Sequence, residues 1–152
     1  MTIVEKLTSN EALSGASPSD LVPIYNAGEV VEANVGETIL QEGERNSWVY
    51  FVLNGQVEVY LPEALERISA IRLGKREAGS CLGECAFMDQ KPASAAVLAT
   101  KPTTRFRISH IALEKLLNGN CALGSIVYRN LARKLCDHMR SANAELDLFR
   151  LV

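Results

Sequence analysis

Between Glu29 and Ile108 the chain breaks into short runs, EVVEA, ETIL, WVYFVL, QVEVY, RISAIRL, AAVLA and TRFRI, separated by turn-forming residues. Runs of this length, rich in β-branched and aromatic residues, predict strands rather than helices. Many short strands within one such segment close into an antiparallel β-roll or jelly roll, so the expected class is mainly β with flanking helices. The strongest local turn signal is Asn54-Gly55 between WVYFVL and QVEVY. A type I′ turn needs a positive φ at both central residues, and Asn-Gly tolerates it, so a two-residue hairpin is predicted there. Glu42-Gly43-Glu44 marks a second turn.

Helical signals flank the strands. Ser17-Pro18-Ser19-Asp20 reads as a helix start, with Ser17 capping, Pro18 at the first helical position and Asp20 reaching back as in a capping box. Gly28 stops that helix, and Pro23 removes a donor within it, so a kink or short turn is expected at that point. After Ile108 the period becomes helical again. Ser109 caps a short helix, IALEKLL, with Ile108 and Leu113 as a hydrophobic staple, and Asn118-Gly119-Asn120 ends it. A long helix follows from about Cys121 to Phe149, roughly 43 Å at 1.5 Å per residue. Its residues Tyr128, Ala132, Leu135, Met139, Ala142, Leu146 and Phe149 are spaced alternately by four and three, the a/d seam of a coiled coil, and predict a homodimer through this helix. Val127 and Leu131 lie off the seam and are assigned to packing on the roll. Arg129, Lys134, Arg140 and Glu145 read as a solvated face.

Composition narrows the function classes. With 152 residues, 47% hydrophobic and 22% charged, the chain fits one globular domain over residues 1–152. Its formal charge of -2, with Lys and Arg dispersed, supplies no basic field for direct nucleic-acid binding. With Val152 following the long helix so closely, no recognition helix is expected within this sequence, and any role in transcription would run through a partner or a longer chain of which this is a piece. No apolar run approaches the ~20 residues that cross a bilayer, and MTIVEKLTSN lacks the apolar block of a signal peptide, so no membrane partner and a cytoplasmic location are expected. Cys81, Cys85, Cys121 and Cys136 form no CxxC pair, and His110 and His138 fall in different elements, so neither a disulfide framework nor a metal site is indicated. No nucleophile and base pair is legible. The chain is not expected to be an enzyme or to hold a resident cofactor.

One stretch carries chemistry: CLGECAFMDQKPASAAVLA, Cys81 to Ala99. Gly83 permits close backbone approach to a ligand, and the free N–H groups of a short helix after it suit an anion. A carboxylate at Glu84 beside an anion site makes sense when it contacts a sugar hydroxyl. The alternative is a plain turn with Glu84 exposed.

Two regions resemble the cyclic-nucleotide-binding domain family, shared by catabolite-activator-like regulators, kinase regulatory subunits and gated channels. In ILQEGERNSWVYFVLNGQVEV, Gly43, the apolar residues Val49 to Val52, and Gly55 match the family's first roll signature, while Asn46 stands where Gly, Ala or Cys is usual. In the second region Gly79 and Leu82-Gly83-Glu84 match the start of the family's phosphate-binding cassette, placed at 79–97. Cys85-Ala86-Phe87 matches its short helix, and Pro92 and Ala95 match its exit. The resemblance covers about Ser17 to Arg140. It divides the chain into an N-terminal helical segment (1–28), a β-roll (29–108) and C-terminal helices (109–152).

The resemblance implies ligand-binding positions at Gly83, Glu84, Cys85, Ala86, Ala93, Ser94 and Ala95, with Glu84 accepting from a ribose hydroxyl and the helix N–H groups facing the cyclic phosphate. Ala93 stands where the family's phosphate-neutralising Arg belongs. Ser94 keeps a small hydroxyl, and Ala96 replaces a threonine associated with cGMP preference, so cAMP is expected to bind at least as well as cGMP. Lys91, next to Pro92, is long enough to reach the pocket mouth, while Lys75 and Arg76 are expected in a solvated turn. The implied function is a stand-alone regulatory module with cAMP as a weakly bound candidate ligand. The alternative is a ligand-independent dimeric interaction module that retains the fold without cyclic-nucleotide binding.

Overall fold

The computed structural model describes the backbone of residues 1–150 and side chains through Leu148. Two helices lead, α1 (Ile3–Thr8) and α2 (Pro18–Ala27). The strands follow: β1 (Glu29–Ala33), β2 (Thr38–Leu40), β3 (Trp48–Asn54), β4 (Gln56–Leu61), β5 (Ile71–Glu77) and β6 (Cys81–Leu82). A short α3 (Glu84–Asp89) precedes β7 (Ala96–Ala99) and β8 (Thr103–Ser109), and α4 (His110–Gly119) and α5 (Cys121–Arg150) close the chain.

The strands form two four-stranded antiparallel sheets, ordered β1-β8-β3-β6 and β2-β7-β4-β5. β3 explains why its sequence is continuously apolar: both of its faces are buried. Val49, Phe51 and Leu53 join the cluster under the helices, with Phe106, Ile108, Leu113, Leu123, Val127 and Leu131. Tyr50 and Val52 point the other way, into the space between the sheets, with Val57, Leu82 and Val97. The β-roll with flanking helices and a long terminal helix is therefore observed, and Val127 and Leu131 pack on the roll as expected.

The N-caps hold at the helix starts, although Asp20 completes no capping box and its carboxylate instead accepts from Asn120 Nδ2. Ser17 Oγ accepts from Asp20 N at 3.2 Å, with Pro18 in the first turn. Ser109 caps α4, and both staple residues, Ile108 and Leu113, are buried. Gly28 ends α2 where a Cβ would stand 2.4 Å from both the Phe106 ring and the Arg107 carbonyl. Pro23 lies inside a helix assigned continuously from Pro18 to Ala27, so the expected turn does not form. The signal missed at the N-terminus is a capping box: Thr2 and Glu5 each bond the other's backbone N–H at the start of α1.

Two strand expectations need correction. Asn54-Gly55 is not a hairpin turn, because β3 pairs with β6 and β8 whereas β4 pairs with β5 and β7. Among the described residues only Gln90 is a non-glycine with positive φ, so Asn54 lacks the geometry of a type I′ turn. The dipeptide instead turns the chain from one sheet to the other. Gly55, at φ +106°, sits so close to the incoming β8 connection that a Cβ would lie 2.5 Å from the Pro102 carbonyl. The second correction concerns RISAIRL: β5 starts at Ile71 and runs to Glu77, so Lys75 and Arg76 are strand residues rather than a solvated turn.

Gly36 shares a positive φ with Gly55 but has open space where a Cβ would go. We expect Gly36→Ala to lose about 1 kcal/mol for the left-handed backbone alone. Gly55→Ala adds an atomic overlap and should lose clearly more, measured by urea unfolding. Equal losses at the two positions would show that the sheet crossing does not depend on this close approach.

Candidate functional site

The short β6 pairs with β3, placing Leu82 beside Tyr50 and Cys81 beside Phe51, and the chain then turns sharply at Gly83. Gly83 has φ +81° and passes so near β3 that a Cβ would meet the Trp48 carbonyl at 2.5 Å and Asn46 Nδ2 at 2.7 Å. Asn46 has a structural task here. Its Nδ2 donates to the Trp48 carbonyl at 2.6 Å and its Oδ1 accepts from Trp48 N at 3.1 Å, bracing the start of β3 beneath the turn. Beyond α3, the Ala93 backbone pairs with the turn before β3: Ala93 N donates to the Glu44 carbonyl and Gly43 N to the Ala93 carbonyl, both at 2.9 Å.

These elements wall a cavity of about 530 Å³. All seven residues singled out in the sequence, Gly83, Glu84, Cys85, Ala86, Ala93, Ser94 and Ala95, line it. The inner wall is apolar, from Leu40, Val59, Leu82 and Val97, and α5 crosses the opening with Lys134, His138, Ser141, Ala142 and Glu145. Val97 lines the cavity but Ala96 does not, being buried in β7 opposite Tyr60. The expectation of nucleotide selectivity at Ala96 therefore has no contact to act through.

Lys134 is the main surprise. The solvated face assigned to it is wrong: its side chain is only 8% exposed, and Nζ lies 2.9 Å from Glu84 Oε1 and 2.8 Å from Glu11 Oε1. It also donates to the Cys81 carbonyl, while Glu11 Oε1 accepts from Cys81 N at 2.8 Å. Burial works against the ammonium charge, but Cys81, Glu84 and Glu11 outweigh it and hold the Lys134 pKa above the ordinary lysine value. Glu84 is neither an exposed turn residue nor an unengaged acceptor. It is 7% exposed and tied to α5.

A second contact links the same elements. Phe87 of α3 stacks on Tyr128 of α5, with centroids 6.1 Å apart and planes 5° from parallel, and meets His110 at 5.6 Å. Tyr128 is thus used within the chain, and Ala142 faces the cavity, so these two positions of the predicted seam have intramolecular roles. Leu135 is half-buried, Ala132 is exposed, and Met139 and Leu146 are 60% and 59% exposed. The Phe149 side chain lies outside the described residues.

Burial and then the nearby Glu84 raise the Cys85 thiol above its ordinary range, so it stays protonated and weakly nucleophilic. Burial followed by the fields of Lys134 and Arg76 lowers His138. No group of acidic, Cys and His side chains able to hold a metal occurs among the described residues. Arg76 of β5 also lines the cavity, a position that the turn assignment had hidden.

Comparisons with known proteins agree with this geometry. Residues 30–120 match the family profile described as cyclic nucleotide-binding domain. Glutaminase 1 of Bradyrhizobium diazoefficiens is 28% identical over 143 residues, which is 94% of this chain and 22% of the glutaminase. The chain thus spans about a fifth of that relative's length. A cyclic nucleotide-binding domain from Methylobacillus flagellatus superposes with a TM-score of 0.80 at 24% identity, covering 94% of this chain and 79% of that one. The regulatory subunit of a cAMP-independent protein kinase A from Trypanosoma brucei superposes with a TM-score of 0.79 at 22% identity, covering 95% of this chain and 50% of that one. It is a triple variant bound to cAMP in its A site, and one of its substitutions is Thr to Arg. With its roll, its cassette turn at Gly83 and the profile spanning both, the chain belongs to the cyclic nucleotide-binding domain family.

Proposed function

We propose that the chain is a regulatory module that admits a cyclic nucleotide to this cavity and transmits its presence through α5, with weak affinity for cAMP because Ala93 supplies no cation. One observation carries the reading: all seven cassette positions line a single cavity whose opening is crossed by the terminal helix. In this reading Glu84 accepts from a ribose hydroxyl, which must then share the carboxylate with Lys134. A ligand shifts a conformational equilibrium only through differential affinity, and competition for Glu84 provides that difference. The reading includes no catalytic step and no resident cofactor. It places the module in the cytoplasm, where its four free thiols fit a reducing compartment.

A second reading, a dimeric interaction module that works without ligand, draws on the same ion pair. Lys134 pairs with Glu84 within the chain, so the protein's own side chains neutralise that buried charge. Both readings include a homodimer, because Met139, Leu146 and Leu148 leave apolar surface along the outer part of α5.

The trypanosome variant that holds cAMP carries a new arginine, which supports Ala93→Arg as the direct test of the binding reading. Charge-assisted hydrogen bonds contribute about 1.5–3 kcal/mol each, and a guanidinium can make two to one phosphate. We expect Ala93→Arg to bind cAMP at least tenfold more tightly than wild type in calorimetry, with Glu84→Gln in that background weakening it again. Equal cAMP affinity in wild type and a folded Ala93→Arg protein would sink the idea that only the clamp is missing.

Removing Lys134 tests the ion pair itself. Lys134→Met strands Glu84 as a buried charge, which costs about 3–5 kcal/mol. The Lys134→Met/Glu84→Gln double variant should therefore be more stable than Lys134→Met alone in urea unfolding. A cost below 1 kcal/mol for the single variant would show that Glu84 is solvated when unpaired.

For the homodimer, Leu135→Glu with Met139→Glu should give monomers in sedimentation. A wild-type protein already monomeric at high micromolar concentration refutes the seam.

A further inference from the structure

The register of β5 sets an arginine where strand patterning calls for an apolar side chain. Directly opposed residues of an antiparallel pair share a face. Arg76 stands opposite Val57, which is fully buried, and Gly74 stands opposite Val59, which packs in the same inner cluster. Lys75, between them, is opposite Glu58. Arg76 therefore belongs to the inward face of the roll, and it lines the cavity. Beyond Gly74 the ladder is irregular, between Val59 and Tyr60, and Gly74 takes φ +139°. A Cβ at Gly74 would stand 2.9 Å from Arg76 Nη1, so the missing side chain is what lets the guanidinium lie back across the strand.

Position and ionic surroundings together separate Arg76 from the other arginines of the roll: Arg45 and Arg105 also take part in none of the ion pairs among the described residues, but neither lines this cavity. Arg67 pairs with Glu42, Arg72 with Glu58 and Arg107 with Glu29. Arg105 stacks on Tyr50 and does not reach the cavity. Lys134, the other cation of the cavity, is consumed by Glu84, Glu11 and the Cys81 carbonyl. Arg76 takes part in none of the ion pairs among the described residues, and its one hydrogen bond goes to the carbonyl of its own neighbour, Lys75. Glu145 lines the same cavity from α5 without contacting it. Arg76 is half-buried at the cavity edge, so its guanidinium keeps contact with water and stays free for an incoming anion. The planar fork of a guanidinium suits a phosphate in particular.

We propose that Arg76 holds the ligand's anionic group, so that the charge rests against the β5 wall instead of the cassette that Ala93 has disarmed. This rests on the reading of the cavity as a nucleotide site and deepens it. The ligand class is a phosphate ester of a nucleoside, with its sugar toward Glu84 and its phosphate toward Arg76. His138 borders the same region from α5 and feels the Arg76 charge.

The test is calorimetry of adenosine, 5′-AMP and cAMP against the wild-type chain and the Arg76→Gln and Arg76→Lys variants, each checked for an unchanged melting transition. The wild type should prefer at least one of the two phosphate esters over adenosine by tenfold or more. Arg76→Gln should erase that preference while adenosine affinity stays within twofold, and Arg76→Lys should keep part of it. Binding of all three compounds with no preference for phosphate, or equal losses for adenosine and the phosphate esters in Arg76→Gln, overturns the role of Arg76 and leaves the nucleotide site standing. Absence of binding by every compound to wild type and to Ala93→Arg overturns both.

Discussion

The ion pair of Lys134 is the contact on which the arrangement turns. One ammonium group gathers the carboxylate of the cassette, the carboxylate of the N-terminal segment and a carbonyl of β6, so three distant parts of the sequence meet at one nitrogen. Ion pairs at this depth return little net stability, because removing the charges from water offsets their attraction. What such a contact sets is position. With Val127 and Leu131 anchored in the core below it, Lys134 fixes the rotation of α5 and hence which side chains cross the cavity mouth.

This contact was readable in principle. Val127, Leu131 and Lys134 follow one another by four and three, so the lysine continues the buried stripe of α5. Judged as one charge among others on a long helix it looked solvated, since burial of a lysine depends on partners that lie elsewhere in the sequence. The same reasoning covers Asn54-Gly55. Its flanking runs are true strands, but whether two consecutive strands pair with each other is decided by the sheets around them, and here β8 and β6 take the places beside β3. Local grammar sufficed for the caps at Ser17 and Ser109, whose hydrogen bonds close within three residues.

At the cavity, the seven cassette positions were legible because they sit in one continuous segment whose backbone makes the turn. Arg76 was not, because a strand residue's direction follows from its register against a partner strand, and the expected run ends at Leu73, short of the observed end of β5 at Glu77. The departure at Asn46 reads differently once its hydrogen bonds are known. The side chain braces β3 beneath Gly83, so a residue that looked like drift in the motif supports the turn.

Beyond Lys134 the helix continues with no residue buried, through Leu148. At 1.5 Å per residue, Lys134 is about 10 Å from Val127 and Leu148 is about 31 Å from it. A rigid rod pivoting at Val127 therefore multiplies displacement about threefold, so a shift of about 1 Å at the ion pair becomes about 3 Å at the far end. Under the proposed regulatory reading, the exposed extension would act as a pointer, turning one lost contact at Glu84 into a movement large enough for a neighbouring surface to sense.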